Sequence, residues 1–352
     1  MPGITIKNVA PKAALPGGEV VIEYSGRELA GSARPVVRFG DFTAQVMMAS
    51  SDHIIAKVPD SSSEIGTQEL VIATDGDTSR PFPYEIGKKL ASNLHPVANP
   101  ALDPEGNVYA TYSGRRGQKT PVSIYKITPK GAVTPFVTDI MNATGLAFSL
   151  TGDLFVSSRN EGNVYRVDPA GRTELYIEGM GIATGIALDH DGNLYVGDRS
   201  GSIFKISPSK EIFVFATLEP SIAAYHLAFG FDEYLYVSGP TTSSFDCIYR
   251  VSPSGEVDRF FTGLGRPQGL AFDIDGNLYS VASYRGHRGI FRFRDPKKPE
   301  LMVAGISLVG LAFAQHENLI VVDSGSLYRV RLGIMGKPSG GLWSEKIAGT
   351  PL

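Results

Sequence analysis

The chain has 352 residues, 42% of them apolar and 20% charged, with a formal net charge of −3. That apolar content is enough for two cores, the near-balanced charge gives no case for a nucleic-acid binder, and 40 glycines with 23 prolines suit a turn-rich all-β chain. The single cysteine, Cys247, excludes an internal disulfide and reads as a small buried residue, and no window approaches the roughly 18 apolar residues of a membrane span.

The start, Met1-Pro-Gly-Ile-Thr-Ile-Lys, has no apolar h-region. A cytoplasmic location is expected for the sequence as it stands, and a trimmed export signal would reverse that expectation. Residues 1–87 then run as short β-rich pieces: Ile4-Thr-Ile, Val20-Val-Ile-Glu-Tyr, Val36-Val-Arg-Phe, Ile54-Ile-Ala-Lys-Val and Glu69-Leu-Val-Ile-Ala. Clusters of Gly, Pro, Asp and Ser separate them, which predicts a small sandwich of about seven strands.

From residue 88 the pattern changes to a repeat. Gly145-Leu-Ala-Phe, Gly185-Ile-Ala-Leu, His226-Leu-Ala-Phe, Gly269-Leu-Ala-Phe and Gly310-Leu-Ala-Phe open successive units, with Asn99-Pro-Ala-Leu as a degenerate first copy. Each opening leads to a turn and an aromatic, as in Gly106-Asn107 to Tyr109 and Gly276-Asn277 to Tyr279, where Gly-Asn predicts a hairpin. A second aromatic follows at Tyr125, Tyr165, Phe204, Tyr249, Phe291 and Tyr328. The step between these aromatics is 37–45 residues, room for about four short strands and no ordinary helix, which is the period of a propeller blade. Prolines at 129, 169, 208, 253 and 296 follow the third strand, where a residue without an N–H ends pairing.

The first stretch, on Pro16-Gly17-Gly18, Phe39-Gly40 and Val58-Pro59, resembles an IPT/TIG immunoglobulin-like domain. The repeats, best in Pro267-Gln-Gly-Leu-Ala-Phe-Asp-Ile-Asp-Gly-Asn-Leu-Tyr279, resemble six-bladed propellers of the NHL-repeat and gluconolactonase-like (senescence-marker-protein-like) families. The resemblance implies an Ig-like β-sandwich over 1–87 and a six-bladed β-propeller over 88–352. Closing the ring needs an outer strand for the last blade. Residues 84–90 and residues 342–348 both qualify, and the tail, which holds the one tryptophan, Trp343, is the preferred of the two.

In repeat folds the variable segments collect on one face. Here they join strand two to strand three, are longest in the first, fourth and fifth units, and contribute Arg115, Arg116, Arg159, Arg199, Arg285 and Arg288. The residues just before the inner strands, Asn99, Thr144, Thr184, His226 and Gln268, should open at the same end. Guanidinium forks among hydrogen-bonding side chains fit a carboxylate, phosphate or sugar acid. The bland alternative is that exposed loops are polar in any case, with Arg199 paired to Asp198.

His226 replaces the glycine that opens most inner strands, and His287 comes from the neighbouring unit. Two close imidazoles would serve as general base and acid, and a histidine that only packs is the simpler account. Streptogramin lyases have similar repeats, and that resemblance implies a histidine working with a divalent cation. The lactonase resemblance implies a cation held by a glutamate, asparagines and an aspartate before the inner strands. The matching positions here are Ala98 or Asn99, Thr144, Thr184, Tyr225, Gln268 and Val309, with no carboxylate among them. A divalent cation would have to use Asn99, Gln268 or the loop acids Asp198 and Asp246. Asp189-His190-Asp191-Gly-Asn193 reads as the hairpin of its own repeat and not as a calcium loop.

Two functions follow as expectations. One is recognition of a small anionic or sugar-acid-like ligand, or a peptide, at the channel mouth, with the Ig-like domain as spacer or second contact surface. The other is a lactonase- or lyase-type enzyme with an atypical site around His226 and His287.

Overall fold

A computed structural model describes residues 3–26, 35–60, 66–74, 76–243, 245–295 and 298–337. Pro296 and Trp343 with the rest of residues 338–352 lie outside the described residues. Among the described residues the chain is all-β, with no α-helix, and no helix long and apolar enough to cross a membrane.

Strand Glu19–Ser25 buries alternate residues, the period that one-sided burial imposes on a pleated strand. It lies between Thr5–Ala10 and His53–Lys57, and Gln45–Ala49 completes that sheet at the far edge. Val36–Phe39, Gln68–Thr74 and Phe82–Ile86 pair in a second sheet. Ile22, Ile54, Val37, Phe39, Leu70 and Ile72, all fully buried, share one apolar core drawn from both. At about 25 cal/mol per Å² this burial dominates the stability of the region.

The second sheet does not stop at the edge of this core. Ala13–Ala14 pairs in parallel with Glu85 and Ile86 on one side and with Val303 and Ala304 of the repeat array on the other, making one ten-stranded sheet across the junction. Leu15 N donates to Ala304 O at 2.8 Å and Gly87 N to Ala14 O at 2.9 Å. Two fully buried alanines are what such a seam admits. A Cβ on Gly87 would come 2.1 Å from Leu15 Cδ2, and one on Gly18 2.6 Å from Ala304 O, so Pro16-Gly17-Gly18 lies at the contact with the array.

From Gly87 the chain enters Lys88–Ala91, which pairs antiparallel with Leu327–Arg331 as the outer strand of the last repeat's sheet. This corrects the expectation that residues 342–348 fill that place. The strand leaving the junction is already aligned with the last sheet, one residue after Phe82–Ile86 ends.

Every other repeat is likewise a four-stranded antiparallel ladder, such as Ala143–Phe148, Leu154–Ser158, Asn163–Val167 and Thr173–Ile177. The inner strands, which also include Ala183–Leu188, His226–Phe229, Leu270–Phe272 and Leu308–Phe313, adjoin one another in sequence, and the last returns to the first at Ala98 and Asn99. The ring is a β-propeller. Its repeated words are repeated locks. Asp103 accepts from Asn107 N, Asn107 Nδ2 and Tyr109 OH at 2.8, 2.8 and 3.0 Å, and Asp189 and Asp273 hold their own Asn and Tyr in the same way. Each such Tyr meets the inner-strand ring of the next repeat edge-on: Tyr109 with Phe148, Tyr195 with Phe229, Tyr279 with Phe313, at 5.0–5.2 Å. Such pairs add about 0.5–1.5 kcal/mol each beyond their burial.

The expected long loop in the fifth unit is instead a regular hairpin. Leu278–Tyr284 and His287–Phe293 pair along their length, and Arg285 and Gly286 turn with φ of 48° and 84°, the two positive angles of a type I′ turn.

Candidate functional site: the two ends of the channel

The end of the channel at which the inner strands begin is narrow. A Cβ on Gly145 would stand 2.4 Å from Thr184 O, and one on Gly185 2.3 Å from Tyr225 O. The opening glycines therefore let each inner strand touch the backbone of the next. The polar residues beside them stitch the strands together. Thr184 Oγ1 donates to Gly197 O at 2.8 Å and accepts from Tyr225 N at 3.2 Å. Thr144 Oγ1 donates to Asn142 O at 3.0 Å, and Gln268 Nε2 to Leu308 O at 3.3 Å. Asn99 bridges two repeats at once, donating to Leu270 O at 2.8 Å and accepting from Leu311 N at 3.1 Å.

His226 sits at the glycine position of the fourth repeat, 3% exposed. Burial pushes its imidazole down to about 4 from an ordinary 6.5, so it is neutral at pH 7. His287 is exposed at the start of its hairpin strand, paired across the ladder with Tyr284. One imidazole buried in the array and one out on a hairpin tip are not brought together as an acid–base pair.

Around this end the first three repeats gather their arginines. Burial first, then the charges of Arg199 and Arg116, hold the half-buried Arg159 guanidinium below its ordinary value. Arg159 Nη2 donates to Gly114 O at 2.6 Å, and its buried Nε has no partner among the described residues. Arg199 donates to Ser221 O and Ile222 O at 3.3 and 2.7 Å. Among the described residues none of the three reaches a carboxylate, the Lys and Arg ion pairs lying elsewhere. Asp198, the sequence's candidate partner for Arg199, accepts from Ile182 N at 2.8 Å, from Ser200 N at 3.2 Å and from the Ser200 hydroxyl.

The cluster is held by a residue that sequence reasoning missed. Asn142, buried at a φ of 51°, donates to Gly114 O and Arg115 O at 3.1 and 3.0 Å and accepts from Gly117 N at 2.8 Å. It ties the first repeat's loop, which carries Arg115 and Arg116, onto the second repeat. The only signal was an Asn immediately before an inner strand. Arg115 is exposed beside Arg116. Arg285 and Arg288 are exposed on the fifth-repeat hairpin, where the Arg285 guanidinium stacks 5.1 Å from the Tyr284 ring.

Metal ligation finds little support in these side chains. Asp246 accepts from Thr241 N, Thr241 Oγ1 and Arg266 N at 2.8, 2.8 and 3.2 Å. Asn99 and Gln268 have their amides in the backbone contacts above. Among the described residues no three His, Cys, Asp or Glu side chains converge as a metal site.

The other end, where the inner strands finish in their hairpins, is broad. It holds a cavity of about 1170 Å³ with walls of Phe148, Leu188, Phe229, Phe272 and Phe313. Of the site residues named from the sequence, Asn99 is in its lining, while Thr144, Thr184, His226, Gln268 and all six arginines are not. Lys337 stands at its edge, donating to Phe229 O and Gly230 O at 2.7 and 2.8 Å, with its ammonium 4.7 Å from the Phe231 ring.

No family model matches the chain, and no curated protein does. Solved structures do match. A gluconolactonase from Xanthomonas campestris superposes with a TM-score of 0.59 at 15% identity, covering 86% of this chain and 99% of that one. A Bacteroides thetaiotaomicron protein of unknown function gives 0.55 at 14%, covering 94% and 98%. An auxiliary nutrient binding protein from Bacteroides ovatus gives 0.52 at 12%, covering 93% and 97%. At these identities the likeness is one of fold, the β-propeller.

Proposed function

We propose that the chain is a six-bladed propeller, residues 88–352, carried on an IPT/TIG-like sandwich, residues 1–87, and that it recognises a small anionic or sugar-acid-like ligand at the narrow end of its channel. The observation that carries this reading is the convergence of Arg116, Arg159 and Arg199 without a carboxylate. Like charges gathered together cost stability, and a bound carboxylate or phosphate relieves that cost with charge-assisted hydrogen bonds. The Bacteroides ovatus neighbour, named for nutrient binding and matched over nearly the whole of both chains, also supports a binding role. Arg285 and Arg288, on a separate hairpin, serve as outer contacts for a longer ligand such as an acidic peptide. The seam through Ala13–Ala14 supports the sandwich as a fixed second surface more than as a loose spacer.

The catalytic alternative draws on the gluconolactonase neighbour. It needs a proton-transfer group that reaches a substrate, and His226 is buried and neutral.

Calorimetric titration with glucuronate, gluconate and neutral glucose tests the proposal. The acids should bind and glucose should not, with affinity falling at high salt and lost in Arg159→Ala/Arg199→Ala. Acids and glucose binding alike, or not at all, would reject it. Hydrolysis of gluconolactone above the blank, abolished in a folded His226→Ala protein, would instead establish the catalytic reading.

A further inference from the structure

We propose that the broad end of the channel is a second binding site, taking an amphipathic small molecule whose apolar body fills the cavity and whose carboxylate head sits on the Lys337 ammonium. The site is separate from the arginine cluster and does not depend on the reading given to it.

Its volume, about 1170 Å³, is somewhat above the roughly 300–1,000 Å³ of ordinary small-molecule pockets, so it has room for a bulky apolar body. Its surface is of the right kind. The inner strands end in rings or leucine, and half-buried alanines such as Ala228, Ala271 and Ala312 leave the space between them open. The rings are fixed from behind, Phe229 by Tyr195 and Phe313 by Tyr279, so an entering apolar body meets a preformed wall.

The rim decides the head group. Three of its acids have protein partners: Asp153 is held by Arg166 at 2.8 Å, Asp189 by Asn193 and Tyr195, and Asp191 faces His190 at 3.3 Å, while Glu233 stands exposed on the rim. Lys337 is different. An ammonium has three protons to donate; two go to the carbonyls of Phe229 and Gly230, no acceptor for the third is found among the described residues, and the Asp232 carboxylate favours the charge from nearby. Its backbone is pinned as well. Lys337 N donates to Phe272 O at 2.8 Å and Ile274 N to Met335 O at 2.9 Å, so the segment around Gly336 runs as a strap along the end of the fifth inner strand. A cation held on two carbonyls, against the face of Phe231 and beside an apolar hollow, is a fixed point for a carboxylate whose tail turns inward.

The test is titration of the full chain with decanoate below its micelle concentration, beside decanol as the head-group control, read by calorimetry and by displacement of anilinonaphthalene sulfonate. Decanoate should bind one to one. Lys337→Met should weaken decanoate about tenfold, the loss of a charge-assisted hydrogen bond, and leave decanol unchanged. Ala228→Phe, which puts a ring into the cavity, should weaken both. Phe231 is more than half exposed, so Phe231→Ala keeps the fold and should weaken decanoate even where Ala228→Phe fails to fold. No decanoate binding by the folded protein would overturn the site. Equal decanoate affinity in Lys337→Met would overturn the placement of the head.

Discussion

The two ends of the channel are built from the same repeated words and do opposite things. At the narrow end a glycine lets each inner strand lie against the next strand's backbone, and threonine, asparagine and glutamine side chains close the remaining gaps. At the broad end the same strands finish in rings that stand on the preceding repeat's tyrosine, and the space between them stays open. Loop wording draws attention to the narrow end, where the centre is filled and only the arginine-bearing rim is free. The room is at the end where the repeats hardly vary.

The sharpest way to break this contrast is to add one methyl group to the narrow end. Gly185→Ala places a Cβ 2.3 Å from Tyr225 O and 2.9 Å from Leu227 Cδ1. A backbone contact of that kind cannot swing aside, so the loss should be about 4 kcal/mol, a fall in melting temperature on the order of 10 °C. Ala228→Leu at the broad end should cost less than about 1 kcal/mol, since its side chain meets open space. Equal losses would mean that the two ends are packed alike.

The turn locks come next. Asp273, 1% exposed, accepts from Asn277 N, Asn277 Nδ2 and Tyr279 OH. Asp273→Ala leaves buried donors without a partner and should cost about 3 kcal/mol. Asp275, in the same turn and exposed, should tolerate alanine within about 0.5 kcal/mol. Chemical denaturation of the two variants gives both numbers.

Much of this was legible in the sequence because it is local and repeated. Asp273, Asn277 and Tyr279 sit within seven residues, and the Gly-Leu-Ala-Phe opening recurs three times unchanged and twice in variant form, so period alone located the strands. Ring closure was only half legible: residues 84–90 were one of two candidates, but Lys88–Ala91 shares no wording with the repeats and its partner Leu327–Arg331 lies at the other end of the array, so nothing local favoured it over the tail. Arg116, Arg159 and Arg199 come from different units and are gathered only by the ring's geometry. A cavity has no sequence signature of its own. The nearest signal was the alanine inside each opening, which the sequence accounts for equally well as a small residue at a crowded axis.

The smallest effect at neutral pH belongs to His226, and it sharpens the comparison because it marks a place where the narrow end holds a titratable side chain in place of a glycine. Its folded-state value is depressed to about 4 from 6.5 by burial. The unfolded chain therefore takes up a proton first as pH falls, and stability must drop between pH 6.5 and about 4, by at most roughly 1.4 kcal/mol per unit and about 3 kcal/mol in all. Above pH 6.5 both states are neutral and the histidine contributes nothing to the pH dependence; below about 4 both are charged and the loss is complete. Urea denaturation of the wild type and of His226→Gln should give midpoints whose separation is constant above pH 6.5. On acidification the gap should shift steadily in favour of the variant, which has no proton to exclude. A gap that stayed constant down to pH 4 would mean that the imidazole reaches water, and with it that the narrow end is open enough for His226 to meet a substrate.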